Sequence, residues 1–264
     1  MKWKHYRRAV VLDEEIHFEP KLNNERALSL LKKYKGLFLR YTTRFDKDEE
    51  SLAYYVIKSD WGGLEELSSN TRNQVRKSLK KCYVKPIMVQ ELSEKGLICY
   101  NKSMKNHDNE FIDLEHEKFK QLILTQTNRE YFGCFDIVSS ELIAYSQNIV
   151  GEGVSYSSVK SNPDFNKSNY PQYALFFKMN EYYLHIKKKK YVSDGFRTLD
   201  NHSNIQEFLI KKFKFRKAYC DLHIVYSFWF GVIVKVLYPI RKYILNKRVQ
   251  SILFQHYISL NKDT

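Results

Sequence analysis

Apolar positions in this chain alternate in some stretches and recur every three to four residues in others, and the two rhythms separate strands from helices. Residues 37–43 and 52–58 are aromatic and aliphatic runs on either side of a charged turn at 45–50, a pattern that predicts an antiparallel hairpin. Trp61-Gly62-Gly63 breaks the second run. Residues 64–82 then take up helical spacing, with Leu67, Thr71, Val75 and Leu79 forming a narrow stripe. A strand at 83–89 follows, then helices near 93–105 and 114–126 divided by a polar loop. Residues 131–138, 142–150 and 154–160 read as three strands of a meander, with short turns at Ser139-Ser140 and Gly151-Glu152-Gly153.

Pro171 opens a long helix to about residue 188, with Ser168 or Asn169 near its cap. A strand at 191–193, a helix at 204–213 and a strand at 218–226 complete the pattern. Hairpins followed by helices predict an α+β fold and argue against a doubly wound parallel sheet. No composition break marks a linker, so one compact body is expected. Within it, residues 1–128 form an N-terminal half with a basic helix, 129–226 a core, and 227–264 an apolar and basic extension.

Composition adds two constraints. With 264 residues and 43% hydrophobic content the chain can bury a sizeable core, which argues against disorder. Its net charge is +14, from 44 Lys+Arg against 30 Asp+Glu. That field favours anionic partners such as nucleic acid, phosphate-bearing donors or acidic membrane, although solvated lysines alone would also produce it. Cys82, Cys99, Cys134 and Cys220 have no paired spacing, so neither a disulfide framework nor a zinc site is expected. The charged start carries no signal-peptide run, making the cytoplasm the default location.

Two clusters could carry chemistry. On the 64–82 helix, Arg72, Arg76 and Lys80 are four apart, with Lys77 and Lys81 alongside and no acid between Leu67 and Val89. Like charges at that spacing repel by roughly 0.2–0.5 kcal/mol per pair, a small cost on a solvated surface. The same arrangement can cradle phosphate or carboxylate. The second cluster is Asp194, Arg197, Asp200, His202 and Asn204, at the end of a strand and the start of a helix. There an acid can take a proton from an amine and Arg197 can pair with it or hold an anion. The alternative is a structural ion pair with Asn204 as a helix cap. His107-Asp-Asn-Glu110 and Glu115-His-Glu117 match no metal spacing, and no hydrolase, phosphate-loop or dinucleotide motif is present. The apolar run Trp229–Pro239, counted even from Ile224, is too short to span a bilayer, but with Arg241, Lys242, Lys247 and Arg248 it can lie on an anionic surface.

Together these motifs resemble the GNAT acyltransferase superfamily, most closely the branch related to Fem-type aminoacyltransferases that build peptidoglycan cross-bridges. The resemblance rests on the Arg/Lys helix after Trp61, the strand pair and turn, the Tyr-rich segment at Tyr173, the Asp194-Gly195 turn, and the segment from Phe208 to Phe215. It implies a mixed, mostly antiparallel sheet flanked by helices, in a single or a reduced tandem arrangement, that splays beside the strand ending at Lys160. It further implies N-acyl transfer to an amine on an envelope or glycan precursor. Arg72, Arg76, Lys77 and Lys80, with Trp61 and Asn204, would bind substrate and hold an anionic group, Tyr173 would line the acyl channel, and Asp194 with Arg197 would be catalytic and orient the acceptor. The donor would be a CoA thioester or an aminoacyl-tRNA, with no metal. The glycine-bearing pyrophosphate loop of the superfamily has no counterpart at 164–169. A non-catalytic tRNA or nucleic-acid binder, or a membrane-surface protein touching anionic lipid through 229–248, are the alternatives.

Overall fold

A computed structural model describes residues 1–6, 8–107, 110–197 and 205–261. The chain forms two units that interleave in sequence. One comprises residues 1–56, 196–204 and 217–264, and the other comprises 57–195 and 205–216.

In the first unit, β1 (Trp3–Tyr6) and β2 (Ala9–Leu12) form an antiparallel hairpin. Helix α1 (Asn24–Tyr34) then carries the chain across to β3 (Phe38–Lys47), which pairs with β2 in parallel. The Asn23 side chain caps α1 by accepting from the Arg26 amide at 2.9 Å. Ala27 and Leu31 turn inward onto Trp3, Val10 and Leu39. The expected hairpin between β3 and β4 (Tyr54–Lys58) does not form. Strand β10 (Arg216–Tyr226) lies between them, antiparallel to β3 from Phe38↔Tyr226 onward. Asp221 on β10 receives Arg44 at 2.6 Å and Lys47 at 2.9 Å, so the charges near the supposed turn tie β3 to a distant strand. Helices α8 (Phe228–Leu237) and α9 (Lys247–Leu260) follow, and Ile258 packs with Ala53, Cys220 and Leu222.

In the second unit β9 (Val192–Phe196) heads the sheet, followed in order by β8 (Val154–Ser161), β7 (Leu142–Val150), β6 (Glu130–Asp136) and β5 (Cys82–Ile87). Strands β5, β6, β7 and β8 run antiparallel, and the last three form the expected meander. Strand alternation gives this sheet two apolar faces. Tyr131 and Phe135 meet Leu92, Cys99, Phe119 and Ile123 from α3 (Val89–Lys95), α4 (Leu97–His107) and α5 (His116–Leu124). The one helix expected near 93–105 is therefore two, divided at Gly96. Phe132 points the other way, its ring 5.6 Å from that of Tyr183.

Helix α2 (Ser69–Lys81) begins later than expected, because Ser68 caps it; Leu67, Thr71 and Val75 of its stripe are buried. Helix α6 (Pro171–Asn180) widens into a π-helical stretch over Glu181–Ile186. Its cap is Tyr170 in the left-handed region at φ 53°, while the expected capping residue Asn169 donates instead to Asp136. Strand β9 (Val192–Phe196) and helix α7 (Ile205–Phe213) complete the described elements.

Candidate functional site

The site is built where β8 and β9 part after their first residues, within the second unit over residues 154–195. These strands run parallel and pair at Val154↔Val192 and Ser155↔Ser193, the first two residues of each. Strand β8 then continues to Ser161. On its other edge β8 carries a bulge: Tyr156 pairs with Asn148 and Ser158 with Gln147, leaving Ser157 as the extra residue. Ser157 Oγ donates to the Gln147 carbonyl at 2.8 Å and receives Arg129.

Asp194 follows Ser193, the last residue of β9 that pairs with β8. Ser193 Oγ accepts from the Gly195 amide at 2.9 Å within β9, which runs on to Phe196 where a turn was expected, and Gly195 adopts φ +86°, which only glycine takes without strain. The Asp194 residue is half-buried, but its carboxyl is deep enough for burial to push its pKa up from 3.8 to about 7, against a smaller opposing effect of a hydrogen bond from Gln206. Gln206, in the first turn of α7, also donates to the Asp194 carbonyl at 3.4 Å. No described cation pairs with this carboxyl. A carboxyl that changes charge near neutrality can accept and return a proton there.

Beneath the same strands, Tyr156 donates to Asn180 at 2.8 Å, and Asn148 donates to Tyr183 at 3.2 Å. Tyr183 in turn donates to Glu130 at 3.0 Å. The widened turn at Glu181–Ile186 supplies Tyr183, and burial raises its pKa well above the ordinary phenol value. These buried tyrosines therefore stay neutral and fix the strands.

The basic helix reaches the loop between β8 and α6. Three successive loop carbonyls accept from it: Ser168 from Lys81 Nζ at 2.7 Å, Asn169 from Cys82 Sγ at 3.6 Å, and Tyr170 from Ser78 Oγ at 2.8 Å. Arg72 is already engaged by Glu65 at 3.0 Å and the Leu67 carbonyl at 3.2 Å. Arg76, Lys77 and Lys80 are exposed, and none has an ion-pair partner among the described residues. Trp61 lies 5.0 Å from Phe177, and Tyr173 lies 5.1 Å from Phe208 and 6.0 Å from Phe213, inside an aromatic cluster joining α6 to α7.

Arg197 belongs to the first unit. Its amide donates to the Tyr54 carbonyl at 2.9 Å, its Nη1 to the Leu52 carbonyl at 2.7 Å, and its guanidinium covers Tyr54 and Phe254. Asp200, His202 and Asn204 lie outside the described residues. That unit also holds a concavity of about 410 Å³ lined by Arg40, Tyr41, Thr42, Tyr55 and Phe196. Arg40 donates there to Gln255 at 2.8 Å, and no described carboxylate pairs with it. Gln206 and Arg40 were not singled out by sequence patterning. The first carries a readable signal, a glutamine in the opening turn after a strand, and the second does not.

Among the described residues, no group of three or more His, Cys, Asp or Glu side chains could hold a metal ion. No family of known proteins matches the sequence, and no curated protein matches it. Solved structures do. The C-terminal domain of a putative lysylphosphatidylglycerol synthetase from Agrobacterium fabrum superposes with a TM-score of 0.54 at 9% identity, covering 89% of this chain and 84% of that one. The L-PGS of Bacillus licheniformis gives 0.51 at 12% identity, covering 99% and 86%. FemX gives 0.48 at 12% identity, covering 74% and 75%. At such identities the likeness to the first two establishes the fold alone, the mixed, mostly antiparallel sheet with flanking helices that the motifs imply.

Proposed function

We propose that the second unit is an N-acyltransferase, moving an acyl group from an anionic donor to an amine. The observation that carries this reading is the short parallel pairing of β8 with β9, with an enclosed carboxyl of near-neutral pKa at its end. The ionised Asp194 carboxylate takes a proton from the acceptor's ammonium, leaving a free amine. The amine nitrogen attacks the acyl carbonyl carbon, forming the amide bond as the donor's C–S or C–O bond breaks. The departing sulfur or oxygen takes the second proton, which the nitrogen sheds as the amide forms, and Asp194 releases the ammonium's proton to solvent, so the protons balance. Amides on the edge of β8 beyond its pairing with β9 would polarise the carbonyl, and most of the rate would come from holding the reactants together.

For the donor, Arg76, Lys77 and Lys80 fit a polyanion, which a CoA thioester and an aminoacyl-tRNA both are. The loop at 162–170 contains no glycine and its carbonyls face α2, so the basic helix would bear the phosphate contacts. Amine-bearing envelope or glycan precursors are the acceptors we favour. One structural neighbour is named as a putative lysylphosphatidylglycerol synthetase, and a membrane lipid is an envelope component. Trp61 and Tyr173 would line the donor side and Arg197 would act by holding the segment after β9.

Thiol release from acetyl-CoA and deacylation of charged tRNA, each measured with a panel of amine acceptors, test the reading. Asp194→Asn should lower kcat/KM by roughly 10²–10³-fold without lowering Tm. Equal turnover in the variant would refute it. The exposed cations and the charge of +14 favour one other reading, a nucleic-acid binder. Consumption of neither donor, together with affinity for unrelated RNAs that falls steeply with salt, would establish that instead.

A further inference from the structure

Helix α8 presents most of its apolar surface to solvent. Phe228 is 75% exposed, Trp229 76%, Ile233 51% and Val236 66%. These positions and Val232 recur as i, i+1, i+4, i+5 and i+8, so they lie along one face. The opposite face holds the helix in place. Val234 is buried, and the Phe230 ring stacks on Phe38 at 5.9 Å. The patch does not end with the helix. Ile240 is 49% exposed, and beyond it Tyr243 and Leu245 are almost fully exposed. A run of this kind is far more than the scattered exposed side chains normal for a protein surface.

Charge says what covers it. Lys235, Arg241, Lys242, Lys247 and Arg248 are interspersed with these residues, and no Asp or Glu occurs from 222 to 262. Arg241 is held over the Tyr238 ring at 4.3 Å, its Nη1 donating to the Tyr238 carbonyl. A second copy docking here would press two uncompensated cationic patches together. A surface that is apolar beneath and negative above satisfies both features. Trp, Phe and Tyr at the edge of such a patch suit the headgroup boundary, where an apolar ring body and a polar tip are both accommodated.

We infer that α8 and the segment to Arg248 seat the first unit on an anionic lipid bilayer, with the Phe228, Trp229, Val232, Ile233 and Val236 face sunk into the headgroup–acyl boundary and the five cations among the phosphates. The helix lies flat. Its ten residues are about 15 Å long, and among the described residues no helix is long and apolar enough to cross a membrane. This inference is independent of the acyl-transfer reading, since α8 contributes nothing to the Asp194 site.

The test is co-sedimentation of the full chain with vesicles of phosphatidylcholine alone, or with roughly one-third phosphatidylglycerol. Binding to the mixed vesicles should exceed binding to the neutral ones at least tenfold and weaken with added salt. Trp229 fluorescence should be quenched by lipids brominated high on the acyl chain. Trp229→Ser with Val236→Asp should remove binding, and Lys242→Gln with Lys247→Gln should remove the preference for anionic lipid. All four positions are exposed, so a circular dichroism melt matching wild type checks that these variants fold. Equal binding to both vesicle types, no Trp229 quenching, or a stable dimer that Val236→Asp splits while vesicles recruit nothing, would each overturn the proposal.

Discussion

Replacing Asp194 by asparagine should change how the stability of this protein depends on pH. Burial holds the carboxyl's pKa at about 7 in the folded chain, against 3.8 when it is exposed. Between those values the folded state keeps a proton that the unfolded state has released. Folded-state stability is therefore fully present below about pH 4 and is lost as pH rises toward 7, by up to about 1.36 kcal/mol per pH unit. From about pH 5 to 8, only the two units up to 7 contribute, for a ceiling of about 2.7 kcal/mol. Solvent reaching the half-buried residue reduces this to roughly 2 kcal/mol. Asparagine has no such dependence. In differential scanning fluorimetry, Asp194→Asn should gain on wild type by roughly 4–8 °C when both are moved from about pH 5 to 8. The same group predicts that wild-type kcat/KM rises with pH through about 7 and then levels off. If the two melting curves shift in parallel, the carboxyl titrates normally and cannot be the base.

Other perturbations follow from the same structure. Lys58 is fully buried and paired with Glu66 at 2.8 Å and with the exposed Asp60 at 3.5 Å, so Glu66→Ala removes its nearer and more buried carboxylate and should cost about 3 kcal/mol in urea unfolding. A Cβ on Gly153 would lie 2.2 Å from the Tyr191 ring, so Gly153→Ala must displace the ring that precedes β9; a loss of about 1–3 kcal/mol is expected, with activity falling alongside. Reversing Arg76 and Lys80 to Glu should raise KM for a polyanionic donor more than tenfold while leaving Tm within about 2 °C, since both are exposed and unpaired; an unchanged KM would remove α2 from donor binding.

The meander β6–β8 was legible because its alternation is strong and its pairing is local. The partner of β3 was not. Tyr226 and Phe38 are neighbours in the sheet but far apart in sequence, and the charged run at 45–50 looks like any hairpin turn until Asp221 is placed beside Arg44 and Lys47. Strands β1 and β2 are four residues each and start amid charges, too short for a period to show. At the candidate site Asp194 and Gly195 could be found by residue type, although they lie within β9 and not in the expected turn, whereas the carboxyl's pKa depends on burial, which no local pattern encodes. Arg72 belonged to the basic stripe by spacing, yet Glu65, seven residues earlier, claims it.

The segment ahead of α6 has given the carbonyls of Ser168, Asn169 and Tyr170 to a single neighbour, so its course is dictated from outside itself. Ser78, Lys81 and Cys82 thus act as a template. One helical-turn slip of the template would drag the entrance of α6 with it. Changes in donor preference among natural variants should accordingly accumulate on α2.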